Sequence, residues 1–290
     1  MPADDLIDLH VHSDRSDGLE PPERVVALAV EAGLAGLALA DHDTCDGLVV
    51  AADAAAGLGI ELVPAVELSA ELEVVRDGAA TAESVHVLGY WIDPDEPALA
   101  AEMVRLRASR GDRAGAIVAA LEGLGVPVDP DRVRVLADGA PVARPHIARA
   151  MVEAGHVADE REAFDRFLAD GGPAHVPKHA VDPVTAVGLI RGAGGVAVLA
   201  HPALFGPRDG AEEVPLDEVE RMTAAGLAGV EADHAEHRLS QRARWREVAA
   251  GLDLLVTGGS DHHGRPGEAV GTSFTAREVV EGLRSRRSVG

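Results

Sequence analysis

The sequence predicts an α/β protein, a parallel sheet or barrel interrupted by a helical insertion. Three observations point there. Short apolar stretches alternate with stretches of helical period over residues 1–96 and again over 183–290. Between them, over 97–182, the pattern is almost wholly helical. Histidines or carboxylates also stand at or just past the end of nearly every predicted strand.

The elements follow in order. Leu6–Val11 reads as a strand, and Pro22–Ala32 as a helix with proline at its first turn. Gly36–Ala40 is a strand ending at Asp41-His42-Asp43, and Asp46–Leu58 is a helix. Asp43 or Thr44 would cap that helix. Glu61–Leu68 and Ser84–Tyr90 are strands carrying Glu67 and His86. The insertion holds helical stretches at Glu102–Leu124, Pro145–Ala154 and Glu160–Leu168, with a hinge near Asp182-Pro183. Arg105, Arg107, Arg110 and Arg113 read as a solvated helix face. Helix and strand then alternate again. Helices fall at Thr185–Ala193, Leu216–Ala225, Ser240–Ala250 and Ala276–Arg287. Strands fall at Gly195–Ala200, Gly229–Ala232 and Leu254–Gly258.

Composition narrows the function. Hydrophobic residues make up 47% of the 290 and aromatics only 2%, so the core must be built from Ala, Val and Leu. A net charge of −23 disfavours a large nucleic-acid interface and an anionic membrane surface. Cys45 is the one cysteine, which rules out an internal disulfide. The opening residues lack the basic start and apolar run of a secretion signal, and no stretch has spanning length. A cytoplasmic location is expected.

The strand ends carry the chemistry. In barrels and open α/β sheets the carboxyl ends of the strands form the active face. His10 and His12, two residues apart on a strand, point to one side and could share a cation. Alone, the pair reads equally as two polar residues on one face. Asp17 sits in the turn beyond and could reach back. Glu67 ends an apolar strand, where a carboxylate is costly unless paired or bound to metal. His86, between two valines, reads alternatively as a satisfied core histidine. His201 follows five small apolar residues, and Asp261 with His263 echoes the first pair. His262 should point away. Ser13, Ser16 and Ser260 show no base-plus-orienter arrangement.

Taken together, Asp8-Leu9-His10-Val11-His12, Ser16-Asp17-Gly18, Asp41-His42-Asp43, Glu67, His86, Ala200-His201-Pro202 and Ser260-Asp261-His262-His263 resemble the PHP family. These are the polymerase-and-histidinol-phosphatase metal-dependent phosphoesterases. The match runs in order from Asp8 to about Thr272. The segments at Arg144-Pro145-His146 and Val176-Pro177-Lys178 resemble the branch acting on nucleotides and RNA 5′ ends.

The resemblance implies a distorted (β/α)7 barrel with a helical insertion domain. It implies two or three divalent ions, Mn, Fe or Zn, because mixed imidazole and carboxylate ligands suit these better than Mg or Ca. By position, His10, His12, Glu67 and Asp261 would hold the first ion. Glu67 would bridge to a second, completed by His86 and His201. Asp17, His42 and His263 would hold a third. The likeness departs at Asp17, where some members carry histidine. The implied reaction is hydrolysis of nucleotide phosphate monoesters by metal-activated hydroxide. Glu67, Asp261 and His234 would be catalytic, with Arg144, Lys178 and His234 holding the substrate. A monomer or weak oligomer is expected. The alternatives are a phosphatase of small sugar or amino-alcohol phosphates, an amidohydrolase-type barrel, and a non-catalytic metal-binding regulatory module.

Overall fold

The computed structural model describes residues 5–76, 79–137, 142, 144–169, 172–176, 179–206 and 213–287. Lys178 lies outside them. The chain packs as two compact units. One comprises residues 1–72, 83–103 and 181–290; the other comprises 73–82 and 104–180.

The first unit opens with β1 (Leu6–Val11), α1 (Pro22–Glu31), β2 (Gly36–Leu39) and α2 (Leu48–Leu58). Two long strands follow, β3 (Glu61–Arg76) and β4 (Ala79–Tyr90), and then α3 (Pro97–Gly123) begins. The second unit continues α3 and adds α4 (Pro130–Ala137), α5 (Arg144–Glu153) and α6 (Glu160–Ala163), which runs into a π-helical turn at Phe164–Leu168. The chain returns through α7 (Pro183–Gly192), β5 (Val196–Leu199), a 3₁₀ turn at Pro202–Leu204 and α8 (Leu216–Ala224). It ends with β6 (Gly229–His234), α9 (Leu239–Gly251), β7 (Leu255–Gly259), β8 (Thr275–Ala276) and α10 (Arg277–Ser285).

The eight strands form one sheet in the order β7-β6-β5-β4-β3-β2-β1-β8. β1, β2 and β3 run parallel, as do β5, β6 and β7. The sheet curls back on itself. The Asp261 N–H donates to the His10 carbonyl at 2.8 Å, and the His12 N–H to that of His262 at 2.9 Å. The expected α/β barrel is therefore present, and its seam passes through the predicted site.

Three departures have physical causes. β4 lies antiparallel to β5, so its Val87 faces Leu199 at the carboxyl end of that strand. His86 thus reaches the active end from mid-strand, not from a strand terminus. β3 and β4 also run well beyond their expected limits of Leu68 and Ser84. Polar and apolar residues alternate from Ser69 to Val74, the mark of a half-exposed antiparallel strand and not of a buried parallel one. The Asp182-Pro183 step begins α7, with the Asp182 carboxylate accepting from the Thr185 N–H at 3.0 Å, and one unit of the chain ends at residue 180 and the other resumes at 181. α2 has Gly47 at its cap position, so Asp43 and Thr44 do not cap it. Asp43 instead accepts from the Ser69 N–H at 2.8 Å.

Small residues let the barrel close. Ile7, Leu9, Ala38, Ala40, Val63, Ala65, Leu88, Tyr90 and Val198 share one buried cluster. Val11, Leu37 and Leu39 pack outward with Val25, Val26 and Ala29 of α1. Strand β1 thus changes face between Leu9 and Val11, where its register against β2 shifts. Such an irregularity re-aims the residues after it, here His10 and His12. In the second unit Ile117, Leu121, Ile147, Met151 and Leu168 form a separate core.

The fully buried Tyr90 hydroxyl donates to the Leu9 carbonyl at 3.0 Å, pinning β1 one residue before the first histidine. Tyr90→Phe is expected to lower stability by about 1–2 kcal/mol, because it leaves a buried acceptor unmet. Urea denaturation of the metal-free protein measures this.

Candidate metal centre

Glu67 is the middle of the site. It is fully buried on β3, and imidazoles surround both of its oxygens. Oε2 lies 3.2 Å from His10 Nε2, 3.3 Å from His12 Nε2 and 3.1 Å from His42 Nδ1. Oε1 lies 3.0 Å from His86 Nδ1 and 3.0 Å from His201 Nε2. A carboxylate in so dry a place needs compensating charge. Burial opposes its ionisation, yet His42, His10 and His86 hold its carboxyl well below the usual range.

Asp261 completes one side. Its Oδ1 is 3.4 Å from His10 Nε2 and 3.1 Å from His12 Nε2. Asp17 lies on the far side of His12, 3.3 Å from His263 Nε2 and 3.9 Å from His42 Nε2. Potential ligand atoms gather into three groups, each within 4.8 Å. One is His10, His12, Glu67 and Asp261; another is His12, Asp17, His42 and His263; the last is His42, Glu67 and His86. His201 adjoins the last, with its Nε2 3.3 Å from His86 Nδ1. All nine predicted ligand positions therefore fall in one contiguous cluster.

These residues fit divalent ions. His10 Nε2, both ring nitrogens of His12, His42 Nδ1 and Glu67 Oε2 are buried with no hydrogen-bond partner among the described residues. Buried polar atoms are rarely left so. Ligands about 2.0–2.2 Å from a metal lie roughly 3–3.5 Å from one another, which is the spacing seen here. Protons offset part of the charge in the metal-free cluster. Burial opposes charging of His12, but Asp261 and Glu67 raise it to about 10.

Supporting carboxylates hold the loops. Asp41 accepts from the Ser13 N–H and hydroxyl, both at 2.7 Å, and from the Ser16 hydroxyl at 2.8 Å, which fixes the turn bearing Asp17. Both serines thus anchor the loop. Asp8 accepts from the backbone of His10, Ser260 and Gly271. His201 and Asp261 have φ of 22° and 52°, a region that side chains rarely enter.

His234 ends β6 with its Nε2 3.3 Å from Asp261 Oδ2. The Glu236 N–H donates to its Nδ1 at 3.1 Å, so in the neutral ring Nε2 carries the proton. Arg242 donates to the carbonyls of His234, Ala235 and His237 and fastens this loop. Arg144 lies in the second unit, where its guanidinium donates to the Leu168 carbonyl at 3.1 Å and stands 5.9 Å from the Phe164 ring centre. Arg113 of the expected solvated face donates to the Val176 carbonyl. His262 is buried beside the cluster but in none of its three groups.

One residue escaped the sequence reading. Glu231 on β6 is fully buried, 3.1 Å from His10 Nδ1. The argument used for Glu67 would have found it, since Gly229-Val230-Glu231-Ala232 is a carboxylate inside a small apolar strand.

A curved α/β sheet with clustered imidazoles and carboxylates at its seam defines a class, the metal-dependent hydrolases. The PHP domain model matches residues 8–123. The 3′,5′-nucleoside bisphosphate phosphatase of Chromobacterium violaceum is 39% identical over 264 residues, 90% of this chain and 88% of that protein. A 5′-3′ exoribonuclease of Haemophilus influenzae is 34% identical, covering 88% and 89%. A crystal structure described as a metal-dependent phosphoesterase, from Bifidobacterium adolescentis, superposes with a TM-score of 0.76 at 32% identity, covering 97% and 96%. The chain belongs to the PHP family and is a metal-dependent phosphoesterase. No helix among the described residues is long and apolar enough to cross a membrane.

His237 generates a pH prediction. Its ring is buried, Nδ1 lies 3.0 Å from the Ala232 carbonyl, and burial lowers its pKa to about 4. A depressed histidine contributes stability above its unfolded pKa, about 6.5, that is lost as pH falls through the folded value. His237→Gln should therefore lose less stability than the parent between pH 7 and pH 4, by up to about 3 kcal/mol. Paired urea titrations at the two pH values of the metal-free proteins measure it.

Proposed function

We propose that this phosphoesterase removes phosphate from nucleotides: 5′-nucleotides, 3′,5′-bisphosphonucleotides or short oligonucleotides. The observation that carries a multinuclear mechanism is Glu67, whose two oxygens face different sets of imidazoles. The nucleotide reading rests on the relatives' activities, joined to a site built for a compact anion in an acidic chain.

In this reading two or three ions, Mn, Fe or Zn, are held by His10, His12, Asp17, His42, Glu67, His86, His201, Asp261 and His263. Bound ions lower the pKa of water and neutralise developing charge on phosphate. Three divalent ions would bring six positive charges against four from Asp17, Glu67, Asp261 and the adjoining Glu231, leaving a local surplus that attracts a phosphate dianion. The acidic remainder repels long polyanions. Glu67 and Asp261 set the spacing of the centre. His234, with its proton on Nε2, donates to the leaving oxygen or to phosphate. Arg144 and Lys178 are proposed to hold substrate phosphate. The helical domain is taken as 97–182 and the catalytic barrel as 1–96 with 183–290, working in the cytoplasm as a monomer or weak oligomer.

Phosphate release from a nucleoside 5′-monophosphate, a 3′,5′-bisphosphate, a short RNA and a sugar phosphate, each with Mn, Fe or Zn, tests this. Turnover of the nucleotides, abolished by a chelator, is expected. Turnover of the sugar phosphate alone would shift the reading to small metabolites, and no release from any ester would sink it. His10→Ala should lose bound metal and cut turnover on the order of 10²-fold or more, with an unchanged circular dichroism spectrum.

A further inference from the structure

We infer that Glu231 is a positioning residue that orients one ligand in each of two adjoining ion sites and thereby couples them. The inference rests on the metal-centre reading above.

Glu231 lies inside β6 with no exposed surface. Its Oε1 and Oε2 are 3.1 and 3.2 Å from His10 Nδ1. Oε2 also accepts the backbone N–H of His201 at 3.0 Å. An ionised carboxylate only accepts, so His10 must carry a proton on Nδ1. In the loaded site its Nε2 would then offer a lone pair to an ion held with Glu67 and Asp261, whose oxygens lie 3.2 and 3.4 Å away. Hydrogen bonding of a ligand's other ring nitrogen to a carboxylate is the usual way to fix its tautomer and raise its basicity.

The second contact acts on backbone. His201 has φ of 22° and ψ of 57°, and needs a restraint to stay there. Glu231 supplies one at the His201 N–H. The ring is thereby delivered to the opposite oxygen of Glu67, 3.0 Å away, beside His86. The His10 and His201 rings stack with centres 5.8 Å apart and planes 16° apart. A single carboxylate therefore supports imidazoles that face different oxygens of the bridging Glu67.

Gly259 shows how closely this is built. A Cβ there would strike His10 Cβ and come within 2.9 Å of Glu231 Oε1. A buried acid is an expensive filler of space, and an amide or aliphatic side chain would fill the volume at less cost. The position makes sense as support for the two histidines.

The test is Glu231→Gln, nearly isosteric, compared with the parent after chelation. Metal-free melting temperatures should agree within a few degrees. Calorimetric titration with Mn²⁺ should show two of the parent's ions weakened about 10–100-fold each, the size expected for loss of an outer hydrogen bond. The ion beside Asp17, His42 and His263 should be unaffected. Unchanged binding in E231Q, or weakening of one ion alone, overturns the coupling. A parent that binds no Mn²⁺ overturns the metal-centre reading itself, so the two failures are distinguishable. A readout independent of the variant's folding uses ¹⁵N-histidine spectra of the Zn²⁺-loaded parent. His10 protonated at Nδ1, with the His201 amide protected from exchange, supports the inference; His10 protonated at Nε2 overturns it.

Discussion

A fully buried carboxylate ringed by five imidazoles is the constraint on which the rest of this molecule depends. Glu67 cannot sit in the barrel without positive charge close at hand. His10 and His12 come from β1, His42 from beyond β2, His86 from β4 and His201 from beyond β5. Only a closed arrangement of strands brings those five origins within about a hydrogen-bond length of one carboxylate. Architecture and charge balance thus specify each other. The barrel needs counter-charge for Glu67, and the ligands need the barrel to meet.

Support for that arrangement comes from acids that do not face the proposed ions. Asp8, Asp41 and Glu231 each accept a backbone N–H from a predicted ligand or from a residue beside one. They convert loops into fixed mounts without relying on aromatic bulk, which this chain lacks. Two mounts hold strained backbone, at His201 and Asp261. Strain kept at a site implies that the surroundings over-determine it, and the hydrogen bonds to Glu231 and His10 are visible agents.

Much of this was legible in the sequence because the rule is simple: chemistry collects at carboxyl ends of strands in such sheets. The rule located His42, His201 and Asp261 from nothing more than apolar runs that stop at a polar residue. It misplaced His86 in kind, since β4 runs the other way and offers a mid-strand residue to the same end. It passed over Glu231, although the strand Gly229–Ala232 was predicted, because the acid lies within that strand and not at its carboxyl end. The outer halves of β3 and β4 were missed for the related reason that half-exposed strands alternate in polarity. Arg144 was singled out as a charge near a segment boundary. Its guanidinium donates to the Leu168 carbonyl and stacks toward Phe164, contacts that arise from tertiary packing and leave no periodic trace.

The barrel seam carries a meaning for assembly. The bonds that close the sheet, Asp261 N–H to His10 carbonyl and His12 N–H to His262 carbonyl, join residues about 250 positions apart, and the same residues line the centre. Closing a loop of that length costs more chain entropy than a local contact does. A nascent polypeptide still lacking residue 261 offers the His10 and His12 imidazoles without their partner carboxylate. The complete cluster therefore requires the completed ring.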